Sequence, residues 1–203
     1  MAAEPAEAAE AAGGASSECC EMSSSDLVSF VAITGDAVLD CATYRSKLDE
    51  PPNRPGLCGA VATFEGLTRD DFQGKKVLRL EYEAYAPMAA RVMLRICEQA
   101  REKWPSLKKL VAAHRTGHVP SGSASIFIGA MSPHRGDAMD AVRYLIDTMK
   151  EEVPVWKKER YDDGSGAWKE NPDCKAPGKR WAASSAAADD EKRGGREVRL
   201  RKE

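Results

Sequence analysis

Two amphipathic helix patterns, each ended by a proline, constrain the fold of this chain more than any other feature. The first begins at Pro87, which suits the first turn of a helix, and stops before Pro105. Apolar side chains recur along it at intervals of three or four residues: Met88, Val92, Ile96, Cys97, Ala100 and Trp104. The second covers residues 135–151, and Pro154 prevents its continuation. Its apolar side chains are Ala138, Ala141, Val142, Leu145 and Met149. Each helix therefore has an apolar face that must pack against another layer.

Stretches with strand character flank both helices. Their ranges are 27–34, 58–66, 77–85, 107–119 and 123–132. The stretch 58–66 is predicted to be mostly buried, because its residues are small or apolar almost throughout. The order of strands and helices predicts an α+β domain, in which a mainly antiparallel sheet packs against two long helices.

Two local predictions are more specific. Residues 77–85 alternate between apolar and charged side chains, which places Leu78 and Tyr82 on the buried side of a half-buried strand. Residues 36–48 are predicted as a shorter helix with Val38 on its apolar face.

The two ends of the chain differ in composition from its middle. Residues 1–25 are mostly Ala, Glu, Ser and Gly, which cannot bury enough apolar surface to offset the entropy of ordering. We therefore predict a disordered leader over residues 1–25, a folded domain over 26–175 and a mobile charged tail over 176–203. No membrane segment or secretory signal is predicted, since no apolar run approaches the roughly 18 residues that would span a bilayer.

Charge and cysteine usage narrow the classes of function. The formal net charge is −2, so the molecule as a whole does not predict nucleic acid as a partner, and functional positive charge must be local. The six cysteines contain no CxxC pair and no histidine at zinc spacing, so no metal site is predicted. Two of them fall in the predicted leader, which argues against a disulfide framework and favours the reducing cytosol.

The segment SPHRG, residues 132–136, lies where a strand ends and a helix begins. Free backbone N–H groups and the helix dipole favour an anion at such a junction. His134 and Arg135 would add an imidazole and a guanidinium group at the same place. The alternative is a solvated loop with a serine as the N-cap.

Other basic residues are weak signals when each is taken alone. Lys150 falls in the last turn of the second helix, where the dipole favours a cation in any protein. Lys157, Lys158 and Arg69 are each consistent with ordinary surface charge. His114, with its neighbour Arg115, is more typical of a structural pair at a sheet edge than of a site. Phosphate-binding GxxxxGK[ST] loops and GxSxG elbows are absent from the sequence.

Three motifs in order nevertheless resemble a known family. They are GAVATFEGLTRDDFQGKKVLRLEYEAY, REKWPSLKKLVAAHRTGHVP and SPHRGDAMDAVRYLIDTMKEEVPVWKKE. The most specific part is the order HR, helix, Lys150 and WKKE. Over about residues 57–171 the chain resembles the large, catalytic subunits of molybdopterin synthases.

The resemblance implies an α/β hammerhead-type fold and a homodimer of large subunits. Two copies of a small ubiquitin-like sulfur-carrier subunit would bind at the ends of this dimer, giving a heterotetramer. The C-terminal Gly–Gly thiocarboxylate of each small subunit would enter the active site of a large subunit. There, cyclic pyranopterin monophosphate would be converted to molybdopterin by two sulfur transfers that form the dithiolene, without a metal or redox cofactor.

The resemblance also implies roles for individual residues. It assigns two lysines to catalysis, Lys150 and Lys157. It assigns five residues to substrate binding, with the first three at the pterin phosphate: Arg69, His134, Arg135, Lys158 and Glu159. Lys150 would lie against the Gly–Gly terminus as an acid or base, and Lys157 would hold the anionic part of the substrate or protonate a leaving oxygen.

Two departures from the family pattern and two other functions have to be weighed. Asp70 stands where family members often have Asn, and Pro133 stands where they often have a small residue. A noncatalytic scaffold for a ubiquitin-like subunit is the main alternative, although it would not need the complete set of basic residues. A nucleic-acid module based on the charged tail is a weaker one, because that tail also contains acids and few aromatic residues.

Overall fold

The computed structural model of the chain describes residues 19–35, 38–53 and 55–169. The predicted tail and most of the predicted leader lie outside these residues. Within them the chain forms ten strands and three α-helices. The strands are β1 (Cys20–Ser23), β2 (Ser29–Thr34), β3 (Ala60–Leu67), β4 (Asp71–Phe72), β5 (Lys75–Ala84), β6 (Lys109–Arg115), β7 (Gly117–Pro120), β8 (Ala124–Ser132), β9 (Val155–Tyr161) and β10 (Gly166–Lys169). The helices are α1 (Cys41–Ser46), α2 (Ala86–Lys103) and α3 (Arg135–Glu152), and short 3₁₀ turns cover Lys47–Asp49 and Pro55–Leu57.

The first sheet forms the centre of the domain. Its strand order is β1-β2-β6-β8-β3. Strands β2 and β6 are parallel, and the other three pairs are antiparallel. On one face, α2 packs over β1 and β2 while α3 packs over β8 and β3. On the other face, α1 and the turn after it contact β6 and β8. Both faces are therefore covered, which explains why β6 and β8 are buried almost throughout.

The main core lies between the first sheet and the two long helices. Met93 and Ile96 of α2 and Leu145 of α3 are at most 1% exposed. Each such side chain contributes about 1.5–3 kcal/mol to folding through the apolar area that it removes from water. Ala89 and Ala90 of α2 are fully buried, and their small side chains allow this helix to lie close to its neighbours.

The second sheet is antiparallel and smaller. Its strand order is β10-β9-β5-β4, and β7 pairs with β5. A separate cluster of buried side chains packs on it, with Val77, Leu80 and Tyr161 at its centre. The predicted α+β class is thus confirmed, with the strands divided between two sheets.

The predicted helices differ in how closely they match the structure. Both long helices are confirmed, and Pro87 lies in the first turn of α2. Met88, however, is 52% exposed, because the buried face of α2 is centred on alanines and on Met93. The helix predicted over residues 36–48 begins only at Cys41, where Asp40 accepts a hydrogen bond from the Ala42 N–H at 3.0 Å. Val38 precedes it and is 69% exposed.

Two strand predictions and the end of the predicted leader were wrong in detail. Strand β3 alternates between half-buried and exposed residues, because it is the outer strand of the first sheet. Leu78 faces solvent because a bulge between Val77 and Arg79 shifts the alternation of β5. Cys20–Ser23, at the end of the predicted disordered leader, form β1 and pair with β2.

Among the described residues, none of the helices has the length and apolar character needed to cross a bilayer.

His114 occupies the middle of the first sheet, on β6, and is not at a sheet edge as predicted. Its Nδ1 lies 2.8 Å from the Arg115 carbonyl oxygen, so that nitrogen carries the proton and donates. Loss of solvation lowers the pKa of His114 from 6.5 to about 4. The ring is therefore neutral at neutral pH.

We expect His114 to make the fold less stable as pH falls from about 6.5 to about 4. In that window the unfolded chain binds a proton at this position while the folded chain excludes it, so the free energy of unfolding decreases. The contribution is below about 3 kcal/mol, since the ring is still partly exposed. Denaturant unfolding at pH 7 and pH 4.5 would measure it. His114→Phe should reduce the loss, whereas His118→Gln, at a side chain that is 66% exposed, should leave most of it. An unchanged loss in His114→Phe would contradict the assignment.

Candidate functional site

A cavity of about 430 Å³ lies at the N-terminal end of α3. It is lined by Gly59, Pro133, His134, Arg135 and Gly136. The cavity forms where the end of β8 meets the start of β3, since Ala60 pairs with Ser132 across the two strands. A Cβ atom at Gly59 would lie 2.6 Å from the Pro133 carbonyl oxygen, so the close approach of the two chain segments requires glycine there.

A chain of hydrogen bonds holds the segment around this cavity. The His134 backbone N–H donates to the Ser132 hydroxyl at 3.3 Å, and the Ser132 and Ser106 hydroxyl oxygens are 3.1 Å apart. Ser106 in turn donates to the Asp137 carboxylate in the first turn of α3. The N-cap of α3 is His134, whose side chain makes no capping hydrogen bond. The alternative prediction of a serine as the N-cap is therefore wrong. The Ser132 hydroxyl holds the backbone of the loop, and the His134 imidazole remains exposed.

The charges around the cavity favour an anion. His134 and Arg135 are exposed at its wall, and the first N–H groups of α3 have no partner within the helix. The positive end of the helix dipole acts at the same place. Asp137 is the one acidic residue of the first turn, and its carboxylate is turned to Ser106. This arrangement suits a phosphate-sized group, bound by backbone N–H groups and one guanidinium.

Lys150 lies at the other end of the same helix. It is exposed and belongs to the last turn of α3, where the dipole stabilises a cation. Fifteen helical steps separate it from Arg135, so the two Cα atoms are about 22 Å apart along the axis. Within one chain, Lys150 therefore cannot reach a ligand that fills the cavity.

Lys157 and Lys158 follow on β9 and point to opposite faces of the second sheet, because side chains alternate along a strand. Lys157 pairs with Tyr82 of β5 and is half-buried. Lys158 pairs with Glu81 and with Trp168 of β10. Its Nζ lies 5.4 Å from the centre of the Trp168 ring, on the outer face. Lys157 and Lys158 therefore lie on different surfaces of the second sheet.

Glu159 does not lie where a substrate contact would need it. Its side chain is 5% exposed, and it accepts a hydrogen bond from the Tyr161 hydroxyl at 2.6 Å. That bond raises the pKa of Tyr161 to about 12. In this chain Glu159 is thus part of the interior of the second sheet, and its contact with substrate stays a prediction.

Arg69 is exposed, in the turn after β3. Its neighbours are anchored by backbone bonds: Thr68 donates to Ser123 at 3.0 Å, and the Asp70 carbonyl accepts from Val77 at 2.8 Å. The turn lies at the far end of β3, about 23 Å from Gly59 for a seven-step strand. Arg69 is therefore not brought together with His134 and Arg135 within one chain, and their predicted common pocket stays a prediction.

Arg69, Lys150 and Lys157 instead share the opposite end of the first sheet. Leu67 at the end of β3 pairs with Ala124 at the start of β8. Helix α3 follows β8 and runs back along β8 and β3, so its last turn returns to this end. Strand β9 reaches the same end through Tyr82, whose hydroxyl donates to Ser125 Oγ at 3.4 Å. The basic residues thus form two groups, one at each end of α3.

Sequence reasoning missed the residues that support these groups. Ser106 is separated from Ser132 by 26 residues, and Tyr82 from Ser125 by 43 residues. No local pattern connects such residues, because only the packing of the strands and helices brings them together. Within the described ranges, no group of three or more His, Cys, Asp or Glu side chains is placed to hold a metal ion.

These features define an α+β protein with an anion-binding cavity at a helix N-terminus and a second basic group at the far end of that helix. The MoaE protein family model matches residues 35–152, which is more than half of the chain. The chain therefore belongs to the MoaE protein family.

Named relatives and solved structures agree with this assignment. Over 117 residues, the chain is 52% identical to the molybdopterin synthase catalytic subunit of Taeniopygia guttata, covering 58% of this chain and 75% of that protein. Its fold is similar to a crystal structure of molybdopterin synthase from Staphylococcus aureus, with a TM-score of 0.61 and 35% identity, over 68% of this chain and 96% of that one. A structure of the complex of subunits 1 and 2 of the molybdopterin-converting factor from Helicobacter pylori shares the fold, with a TM-score of 0.54 at 19% identity, over 66% of this chain and 87% of that one. The fold expected from the resemblance is confirmed.

Arg135→Ala should weaken the binding of inorganic phosphate by at least about tenfold, because a hydrogen bond to a charged group contributes about 1.5–3 kcal/mol. Isothermal titration at low salt would measure the dissociation constant. Arg143→Ala is the matched control, since it removes an exposed arginine from the same helix outside its first turn. An equal increase of the dissociation constant in both variants would show that phosphate responds only to the overall positive charge. It would contradict a specific binding site at Arg135.

Proposed function

We propose that this chain is the catalytic subunit of a molybdopterin synthase, a sulfurtransferase of molybdenum cofactor biosynthesis. Its family and the names of its relatives support this function. The single observation in the structure that carries it is the placement of basic residues at both ends of α3. One group suits a phosphate, and the other contains the two lysines, Lys150 and Lys157, that the reaction requires.

The proposed sulfur donor is a small ubiquitin-like subunit with a C-terminal Gly–Gly thiocarboxylate, and the acceptor is cyclic pyranopterin monophosphate. The two-subunit complex from Helicobacter pylori supports a small partner of this kind. Both reactants are anionic, so they can approach each other only where fixed cations offset their repulsion. The group of Arg69, Lys150 and Lys157 supplies such cations at one end of the first sheet.

The chemistry assigns a role to each lysine. The thiocarboxylate sulfur attacks a carbon of the pterin side chain and forms a C–S bond, while an oxygen of the substrate leaves and takes up a proton. Water then cleaves the bond between sulfur and the glycine carbonyl, which releases a carboxylate and leaves the sulfur on the pterin. Lys157 protonates the leaving oxygen or holds the anionic part of the substrate, and Lys150 acts as acid or base beside the Gly–Gly terminus. Two such transfers produce the dithiolene.

The distance along α3 adds a requirement for a second copy of the chain. A phosphate bound at His134 and Arg135 lies about 22 Å from Lys150 of the same chain, which is too far for one small substrate to contact both. In the homodimer that the resemblance implies, the cavity of one copy would complete the lysine group of the other. With a small subunit on each large subunit, the assembly is a heterotetramer with two equivalent sites.

The reducing cytosol is the proposed compartment. Four cysteines in the described part of the chain form no disulfide, as expected there: Cys20, Cys41, Cys58 and Cys97.

Lys157→Ala and Lys150→Ala should each lower kcat by at least about 100-fold, because each removes a proton donor or a fixed charge at the reacting atoms. The assay combines the purified chain, the thiocarboxylated small subunit and cyclic pyranopterin monophosphate, and measures dithiolene product. Lys76→Ala is the matched control, since it removes an exposed lysine of the second sheet, on β5, to which no role is assigned. Full activity in both Lys150 and Lys157 variants would contradict the assignment. Binding of the small subunit by the unaltered chain without product formation would favour the scaffold.

Mixed dimers test whether the site is shared between copies. Arg135→Ala and Lys150→Ala copies are co-expressed with different tags, and the dimer that carries both tags is purified and assayed at a pterin concentration at which each single-variant dimer is strongly impaired. It should regain about half of the wild-type activity, because a two-fold dimer then holds one intact site and one doubly altered site. A mixed dimer that stays inactive would show that each chain forms its own complete site.

A further inference from the structure

Tyr82 is the direct cross-strand neighbour of Lys157 on β5. The two residues pair directly between β5 and β9, so their side chains leave the same face of the second sheet. In a directly opposed pair the Cβ atoms are about 4.5–5.5 Å apart, which puts the Tyr82 ring against the stem of Lys157. The position of this ring therefore bears on the space that is open to the Lys157 side chain.

The Tyr82 hydroxyl connects the two sheets. It donates to Ser125 Oγ at 3.4 Å, and Ser125 donates to the Gly66 carbonyl oxygen at 3.2 Å. Ser125 is 6% exposed, so this connection lies below the surface. Gly66 is near the end of β3, three residues before Arg69. One chain of hydrogen bonds thus runs from the strand beside Lys157 to the strand that leads to Arg69.

The other side of the Tyr82 ring is held by His114. The two rings meet edge to face, with centroids 4.9 Å apart and an angle of 79°. Both rings are neutral near pH 7, since loss of solvation lowers the pKa of His114 and raises that of Tyr82. The two rings beside Lys157 consequently pack edge to face and add no positive charge that would compete with the lysine for an anionic partner.

We infer that Tyr82 is a positioning residue that sets the place of Lys157 relative to Arg69 and Lys150. This inference rests on the proposed function. Lys157 belongs to the second sheet, whereas the other two residues belong to the first sheet and its helix. The bond from Tyr82 to Ser125 is a direct side-chain connection between the sheets at this end. Catalytic groups displaced by about 1 Å can lose about 100-fold in rate, so a fixed distance between the sheets is a functional requirement.

Tyr82→Phe tests the inference, because it removes only the hydroxyl and keeps the ring beside His114 and Lys157. In the reconstituted complex we expect kcat for dithiolene formation to fall about fivefold, the effect of losing about 1 kcal/mol of hydrogen bonding in the transition state. The KM for the pterin substrate should stay within about twofold, since neither Tyr82 nor Ser125 lines the phosphate cavity. Ser125→Ala removes the other partner of the same bond and should reproduce the change in kcat. Tyr85→Phe is the matched control, as Tyr85 is 60% exposed.

A double-mutant cycle separates positioning from general destabilisation. In a Lys157→Arg background, Tyr82→Phe should cost little further activity, because the group that it positions has already been altered. The same fivefold loss in both backgrounds would overturn the inference, as would an unchanged kcat in Tyr82→Phe and Ser125→Ala. An inactive wild-type complex would instead refute the proposed function itself, so the two failures are distinguishable.

Discussion

The rigidity of helix α3 is the constraint on which the candidate site depends. Its 18 residues are hydrogen-bonded throughout and packed against β8 and β3, so the distance between its ends is fixed by the helical rise. The helix places one positive group at its N-terminus, where the dipole attracts an anion, and one at its C-terminus, where the dipole stabilises a lysine. The N-terminal end of α3 thus favours a bound anion, and the C-terminal end favours the charge of a lysine. Within one chain, the two ends cannot contact the same small ligand.

The two sheets determine which basic residues lie near each end of α3. The first sheet holds α3 and the turn with Arg69, and the second sheet carries Lys157 on β9. Because the second sheet is smaller and has its own small core, its position relative to the first depends on specific contacts such as that of Tyr82 with Ser125. In the proposed function, a phosphate cavity at one end and a sulfur-transfer group at the other are parts of a site that two copies would complete.

Much of the fold could be read from periodicity. The two long helices follow from apolar spacing and from prolines at their ends, and both agree with the structure. The errors have local physical causes. A bulge exposed Leu78, an outer strand exposed half of β3, and an N-cap at Asp40 delayed the start of α1. Periodicity cannot detect these, since a bulge or an edge depends on which strand lies alongside.

The sequence by itself determined the family, the two helices and the identity of the basic residues, because motif order and spacing are local properties of the chain. Only the tertiary structure decided how those residues are grouped. It separated Arg69 from His134 and Arg135, turned Lys157 and Lys158 to opposite faces, and buried Glu159 against Tyr161. The physical reason is that strand pairing and helix packing set distances between residues far apart in sequence, and no local pattern encodes those distances.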